Sequence, residues 1–177
     1  GKSVVNMQIR IASANPHEIP GEIQIKGDNV FLGYYKNEEA TAAVFTEDGW
    51  FCTGDMGILD EDGSLFIKGR TKCMILGPSG QNIYPEEVET VINSQPYVVD
   101  SLVIEDNGGL TALIYPDFPS GAREGMNQEA FVKYMEEMLP EINKELPNYA
   151  KLKRIKVMLE DFERTPKKSI KRYIYQR

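Results

Sequence analysis

A chain of 177 residues with 41% hydrophobic side chains has room for one domain or two small ones around a sizeable core, and no apolar run in it approaches the roughly eighteen residues that a membrane-spanning helix needs. A formal charge of −7 argues against a general nucleic-acid binder. Cys52 and Cys73 are too few for a disulfide framework and have no Cys or His at metal-ligand spacing, so no metal site is expected, and His17, the single histidine, reads as a solvated loop residue.

The opening Gly1-Lys2-Ser3 lacks the charged, apolar and small-residue pattern of a secretory signal, which leaves a cytoplasmic assignment as the default. Met7-Gln8-Ile9-Arg10-Ile11 and Glu22-Ile23-Gln24-Ile25-Lys26 then alternate apolar with polar residues, the period of half-buried strands, with Asn15-Pro16 and Pro20-Gly21 as punctuation between them. Asn37 suits the cap of a short helix running to about Phe45, with Glu38 and Glu39 in the first turn, where carboxylates favour the helix dipole.

Next comes Gly49-Trp50-Phe51-Cys52-Thr53-Gly54-Asp55. An Asp presented just after an aromatic pair, with Gly54 removing bulk beside it, suits a carboxylate that accepts two hydrogen bonds from vicinal hydroxyls such as those of a ribose. The runs Gly57-Ile58-Leu59-Asp60 and Ser64-Leu65-Phe66-Ile67-Lys68, joined through Glu61-Asp62-Gly63, predict a hairpin, because Asp-Gly supplies the positive φ of a tight turn. That hairpin returns Arg70 beside Asp55, where the two either share a ligand or make a surface salt bridge of little energetic weight. The first seventy residues thus read as a β-rich unit with one small helix.

Beyond Lys72 the character changes. Gly77-Pro78-Ser79-Gly80-Gln81 is a Gly-rich loop ahead of a helix opened by Pro85, with Val88, Val91 and Ile92 on one face and an end near Gln95-Pro96. Residues 98–105 and 110–115 read as a hairpin around Asn107-Gly108-Gly109. Asn127 begins a long amphipathic helix whose Phe131, Met135, Met138, Leu139, Ile142 and Leu146 recur at three and four, and which Pro140 kinks or divides. Its methionines read as core filling. A last strand spans 153–159, and residues 162–177 form an irregular, basic finish. Six of the 20 basic residues lie in 164–177, a segment without an acid, so the other 163 residues carry 14 basic against 27 acidic groups. Such an end is either a phosphate clamp or a solvated tail.

Four separated segments resemble, in order and spacing, the C-terminal third of the AMP-forming adenylating enzymes: Gly33-Tyr34-Tyr35, Gly49-Trp50-Phe51-Cys52-Thr53-Gly54-Asp55, Gly69-Arg70-Thr71-Lys72 and Gly80-Gln81-Asn82-Ile83-Tyr84-Pro85-Glu86-Glu87-Val88-Glu89. This superfamily holds the acyl-CoA synthetases, the luciferases and the adenylation domains of peptide synthetases. The Pro78-Ser79-Gly80-Gln81-Asn82 loop and the Lys167-Lys168-Ser169-Ile170-Lys171-Arg172 ending are most similar to fatty acyl-CoA ligases. The resemblance implies an α+β fold, with residues 1–71 a β-rich subdomain that ends the large adenylation domain and 72–177 a small, mobile α+β lid domain. It also implies that Lys72 is the hinge, since a charged, solvated residue between compact units changes its dihedrals without opening a core.

The implied chemistry of the full-length parent, a long-chain fatty acid–CoA ligase, has two steps and uses a carboxylic acid, ATP, Mg²⁺ and CoA. The acid attacks the α-phosphorus of ATP to give acyl-AMP and pyrophosphate; the lid then turns and a thiol takes the acyl group. Carried onto this chain, Asp55 and Arg70 resemble the ribose-binding pair, and Gly80 and Gln81 the loop lining the pantetheine passage, where glycine lets a thin chain approach the backbone. The family's C-terminal lysine, which steadies the transition-state charge, falls at Ser169 here, and a serine cannot supply that charge. Lys168, one residue earlier, is the preferred replacement, with Lys171 the other candidate.

The family's phosphate loop, acyl pocket and Mg²⁺-binding acid have no counterpart in these residues. The chain is therefore expected to be a C-terminal fragment that folds but does not turn over ATP alone, and whose partner is the missing N-terminal adenylation domain. Within the same fold the alternatives are a peptide-synthetase domain or a luciferase-like enzyme. From another class, the basic tail suits a non-enzymatic nucleotide- or polyanion-binding module. Neither a nucleic-acid partner nor a transmembrane segment is expected, and a fatty substrate implies at most a peripheral membrane association.

Overall fold

Ile9, Ile11, Ile23 and Ile25 face one another across a hairpin, and the burial of Ile11 and Ile23 fixes its register. In the computed structural model, which describes residues 1–176, β1 (Met7–Ala12) pairs antiparallel with β2 (Gly21–Gly27) in this way. β3 (Phe51–Leu59) and β4 (Leu65–Arg70) complete a four-stranded antiparallel sheet in the order β1-β2-β3-β4. The β3–β4 turn is closed by Asp60, whose Oδ1 accepts the backbone N–H groups of Asp62 and Ser64 at 2.9 and 3.1 Å, with Gly63 at φ +79°.

α1 (Glu38–Ala42) is capped by Asn37, whose side chain accepts the Ala40 N–H at 3.0 Å. It stops short of the expected end at Phe45. The residue at 45 bridges to Phe51, and the rings of Phe31, Phe45 and Phe51 gather with centroids 5.0–5.6 Å apart. Aromatic packing against the start of β3 wins over one further helical turn.

Two compact units make up the chain, Gly1–Met74 and the residues from Ile75 onward. Lys72 lies in a 3-10 turn, Thr71–Cys73, at the end of the first. The second unit opens with a short hairpin, β5 (Ile75–Leu76) and β6 (Asn82–Ile83), that holds the Gly-rich loop, followed by α2 (Pro85–Asn93). β7 (Val98–Glu105) and β8 (Leu110–Pro116) are the expected antiparallel hairpin. β9 (Leu152–Val157) then pairs with β8 in parallel, which requires the crossover built by α3 (Phe118–Arg123), α4 (Gln128–Glu137) and α5 (Leu139–Glu145).

Pro140 divides the long helix, α4 ending at Glu137 and α5 starting at Leu139 with the proline in its first turn. One sheet face buries Val103, Ala112, Ile114 and Ile155 against Val88, Ile92, Phe131, Met135 and Ile142. Met135 is core, as its position on the helical stripe implied. α3 had no counterpart in the sequence reading. Asp117 caps it by accepting the Ser120 N–H at 3.1 Å, and Gly121 lets the Phe131 ring approach so closely that an added Cβ would sit 2.9 Å from it. The opposite sheet face, Leu102, Ile104 and Leu113, is covered by Phe162 with Met158, Ile170 and Tyr175. The chain is thus α+β, a β-rich unit followed by a mixed one.

Candidate functional site

Three local structures carry the residues singled out by the sequence. In the first unit, the Arg10 guanidinium stacks over Trp50 at 4.5 Å and is forked by Asp48, which pins the aromatic pair at the entry to β3. Thr53 Oγ1 donates to the Ile23 carbonyl of β2 at 2.8 Å and accepts the Asp55 N–H at 3.1 Å. Gly54 between them takes φ +73°, and nothing lies within 4 Å of where its Cβ would be. The β2–β3 register shifts across these residues, between the Glu22–Met56 and Gln24–Cys52 pairs, and this irregularity leaves the Asp55 side chain partly exposed.

Asp55 and Arg70 are direct cross-strand partners, and Arg70 Nε stands 2.9 Å from Asp55 Oδ1. The Asp55 side chain is 30% exposed, and its Oδ2 has no partner among the described residues. A carboxylate held by a cation on one oxygen and open on the other can accept hydrogen bonds from a diol without a second charge to balance. The free oxygen is thus an acceptor available to hydroxyl donors.

The Gly-rich loop closes through Gly77 N–H to the Gln81 carbonyl at 2.8 Å and Gly80 N–H to the Gly77 carbonyl at 2.9 Å. Gly80 has φ +79°, so the turn itself demands glycine there. Gly77, Pro78, Ser79 and Gln81 form one wall of a cavity of about 440 Å³, opposite Tyr149, Lys151 and Lys153. Neither lysine was singled out from the sequence. Lys151 immediately precedes β9 and Lys153 is its second residue, and the parallel pairing of β9 with β8 brings them to the loop.

The tail carries Lys168 on a tight turn. Thr165 and Ser169 close it, with Thr165 N–H to the Ser169 carbonyl and Lys168 N–H to the Thr165 carbonyl both at 2.8 Å, and Arg164 bridges Ile170 at its base. Lys168 takes φ +65° at the tip, an uncommon backbone conformation for a residue other than glycine. Arg164 pairs with Asp100 at 2.9 Å and Asp161 at 3.0 Å, and Lys171 with Glu163 at 3.2 Å. The Arg164 guanidinium holds the Asp161 carboxyl below its ordinary value. Among the described residues Lys167 and Lys168 have no ion-pair partner and are exposed. Of the two candidate lysines, Lys168 is thus the one whose ammonium stands clear of a carboxylate.

Arg172 adds a contact that the sequence did not suggest. Its Nη1 donates to Glu89 Oε1 at 2.8 Å, its Nη2 meets Glu89 Oε2, and Glu89 Oε1 also accepts the Val103 N–H at 2.7 Å. Burial pushes the Glu89 carboxyl up, against the pull of Arg172 and Val103. The signal for Glu89 was its helix phase, since four residues after Pro85 and three before Ile92 it falls on the buried face of α2. The tail is therefore anchored by packing of Phe162, Ile170 and Tyr175 and by the ion pairs of Arg164, Lys171 and Arg172, while Lys167 and Lys168 stay exposed; Arg177, the last of its basic residues, lies outside the described residues. Among the described residues no cluster of His, Cys, Asp or Glu is placed to hold a metal, and no helix is long and apolar enough to cross a membrane.

A family profile described as the AMP-binding enzyme C-terminal domain matches residues 74–177. The long-chain-fatty-acid–CoA ligase FadD15 of Mycobacterium tuberculosis is 42% identical over 106 residues, 60% of this chain and 16% of the relative. The 2-methylpropanoate–CoA ligase CCL4 of Humulus lupulus is 33% identical over 155 residues, 81% of this chain and 28% of the relative. Among solved structures, the o-succinylbenzoate coenzyme A synthetase MenE of Bacillus subtilis, in complex with ATP and magnesium, superposes with a TM-score of 0.79 at 30% identity, covering 98% of this chain and 34% of that one. The chain thus spans about a third or less of the relatives it matches. Its motifs and these likenesses converge, and the chain belongs to the AMP-forming adenylating enzymes of the acyl-CoA ligase family, with their C-terminal domain from residue 74.

Proposed function

We propose that this chain is the C-terminal portion of an ATP-dependent acid–thiol ligase that forms acyl-AMP from a fatty acid and passes the acyl group to CoA. The observation that carries the reading is the Asp55 carboxylate, paired with Arg70 on one oxygen and open on the other. In this reading Asp55 accepts hydrogen bonds from the ribose hydroxyls of ATP, and Arg70 keeps the carboxylate aimed. Lys168 supplies the cation for the negative charge that builds on the α-phosphate. Gly80 and Gln81 line the passage of the pantetheine arm, and the cavity beside them, with Lys151 and Lys153, suits the phosphates at the other end of CoA. Lys72 is the hinge between residues 1–71 and 72–177. Mg²⁺ and the acyl chain would be held by the upstream part of the protein.

A fatty acid is favoured by the likeness to the mycobacterial long-chain ligase, while the hop and Bacillus relatives take shorter or aromatic acids by their names. That reading places the protein in the cytoplasm or at a membrane surface. The test is pyrophosphate release by the full-length protein with a panel of acids, in Lys168→Ala and Lys171→Ala forms, with the isolated 177-residue chain as the inactive control. Loss in Lys168→Ala alone, by about 10²-fold or more, is the expected result. Undiminished rates in both variants, or release by the isolated chain, would contradict it. Salt-sensitive binding of nucleic acid without preference for adenosine would instead favour a polyanion-binding module.

A further inference from the structure

The Lys168 turn has little regular structure beneath it. Between the end of β9 at Val157 and Gln176 the described backbone makes one isolated bridge, Arg164 to Ile170, and one 3-10 turn, Arg172–Ile174. Something other than a strand ladder or a helix must hold the tip in place. On the near side Arg164, paired with Asp100 and Asp161, donates to the Lys168 carbonyl at 3.2 Å, and on the far side the chain is fastened to one buried acid. Arg172, four residues after Lys168, is forked onto both oxygens of Glu89, and the same carboxylate is tied to the backbone of β7 through the Val103 N–H. Glu89 is 8% exposed and the Arg172 side chain 18%, and Glu86 Oε1 stands 3.7 Å behind the guanidinium. A planar fork on a carboxylate that is itself fixed at a third point defines position and direction at once, which a single lysine contact would not.

We infer that Glu89 and Arg172 are positioning residues for the adenylation step: the clasp sets where the Thr165–Ser169 turn, and with it the Lys168 ammonium, is presented. Neither residue touches the reacting atoms. This assignment rests on the adenylation reading, and it goes beyond that reading in naming what keeps the cation in place. A cation offset by about an ångström from a developing charge loses much of its effect, so loosening the clasp is expected to lower adenylation by about 10- to 100-fold. KM for ATP should stay within about 2-fold, because the ribose contact lies elsewhere.

The experiment uses the full-length protein and separates placement from folding. Glu89→Gln combined with Arg172→Met removes both buried charges, while the amide oxygen of the new side chain still accepts the Val103 N–H, so the melting temperature is expected to stay near that of the unaltered protein. Arg172→Lys is the companion, keeping the charge but losing the fork. Three rates are compared: pyrophosphate release, thioester formation from supplied acyl-adenylate, and pyrophosphate release by Lys168→Ala. The clasp predicts that the double variant loses the first rate, keeps the second within about 2-fold, and that Arg172→Lys falls between. Either variant releasing pyrophosphate at the unaltered rate overturns the inference, as does an equal fall in both half-reactions. If the clasp variants fail while Lys168→Ala is undiminished, the adenylation role of Lys168 is what falls. If Lys168→Ala is slow and the clasp variants are not, only the positioning role falls.

Discussion

Asp55 faces Arg70 with 64% of the arginine side chain exposed and one carboxylate oxygen left over, whereas Glu89 faces Arg172 with 18% of the arginine exposed and both oxygens taken. Each is a carboxylate–arginine pair, and the uses differ. An exposed pair is screened by water, contributes little to folding and leaves an acceptor for a ligand. A buried pair has given up its hydration, and the missing solvation is replaced only while every oxygen is occupied. Burial and spare hydrogen-bonding capacity, rather than the presence of a salt bridge, separate the residue that binds from the residue that fastens.

The largest expected effect follows from the buried pair. Arg172→Ala leaves Glu89 buried without its counter-charge and should destabilise the second unit by about 3 kcal/mol or more, whereas Arg70→Ala should cost the first unit under about 1 kcal/mol. Denaturation of the 177-residue chain resolves the two, because Trp50 fluorescence reports the first unit and hydrogen exchange at Val103 reports the second. Equal costs would erase the contrast. A smaller effect concerns pH. A carboxyl whose folded pKa is raised above its ordinary 4.5, as burial raises that of Glu89, adds stability that is fully present below pH 4.5 and is lost as pH rises through the folded value. Exchange protection of α2 and β7 should therefore decline across that window in the unaltered chain, and Glu89→Gln should remove the decline. A Glu89→Gln profile with the same slope would mean that the acid is not buried as described.

Local signals carried much of this fold. The alternation of Ile9, Ile11, Ile23 and Ile25, the Asp62-Gly63 turn, the Asn37 and Asn127 caps and the division at Pro140 were all legible, because each depends on neighbours within a few residues. What was not legible was set at a distance. The parallel return of β9 depends on which edge of the hairpin remains free, and α3 is hidden by Pro119 and Gly121, which read as loop until Phe131 is seen to need the space. The same division runs through the site. Asp55 and Arg70 sit on one hairpin, so their meeting followed from turn chemistry. Glu89 and Arg172 are 83 residues apart, and Lys151 and Lys153 reach the Gly-rich loop only through tertiary pairing. No local pattern encodes either meeting.

The most direct test of the binding pair is a cycle between residue and ligand. ATP and 2′,3′-dideoxy-ATP are titrated into the full-length protein and its Asp55→Ala form, with binding read by calorimetry. The open Asp55 oxygen predicts that removing the hydroxyls weakens binding to the unaltered protein by about 10-fold or more and hardly affects the Asp55→Ala form, since the interaction is already gone. An equal loss in both proteins would show that the diol is held elsewhere, and that the Asp55–Arg70 pair is an ordinary surface salt bridge.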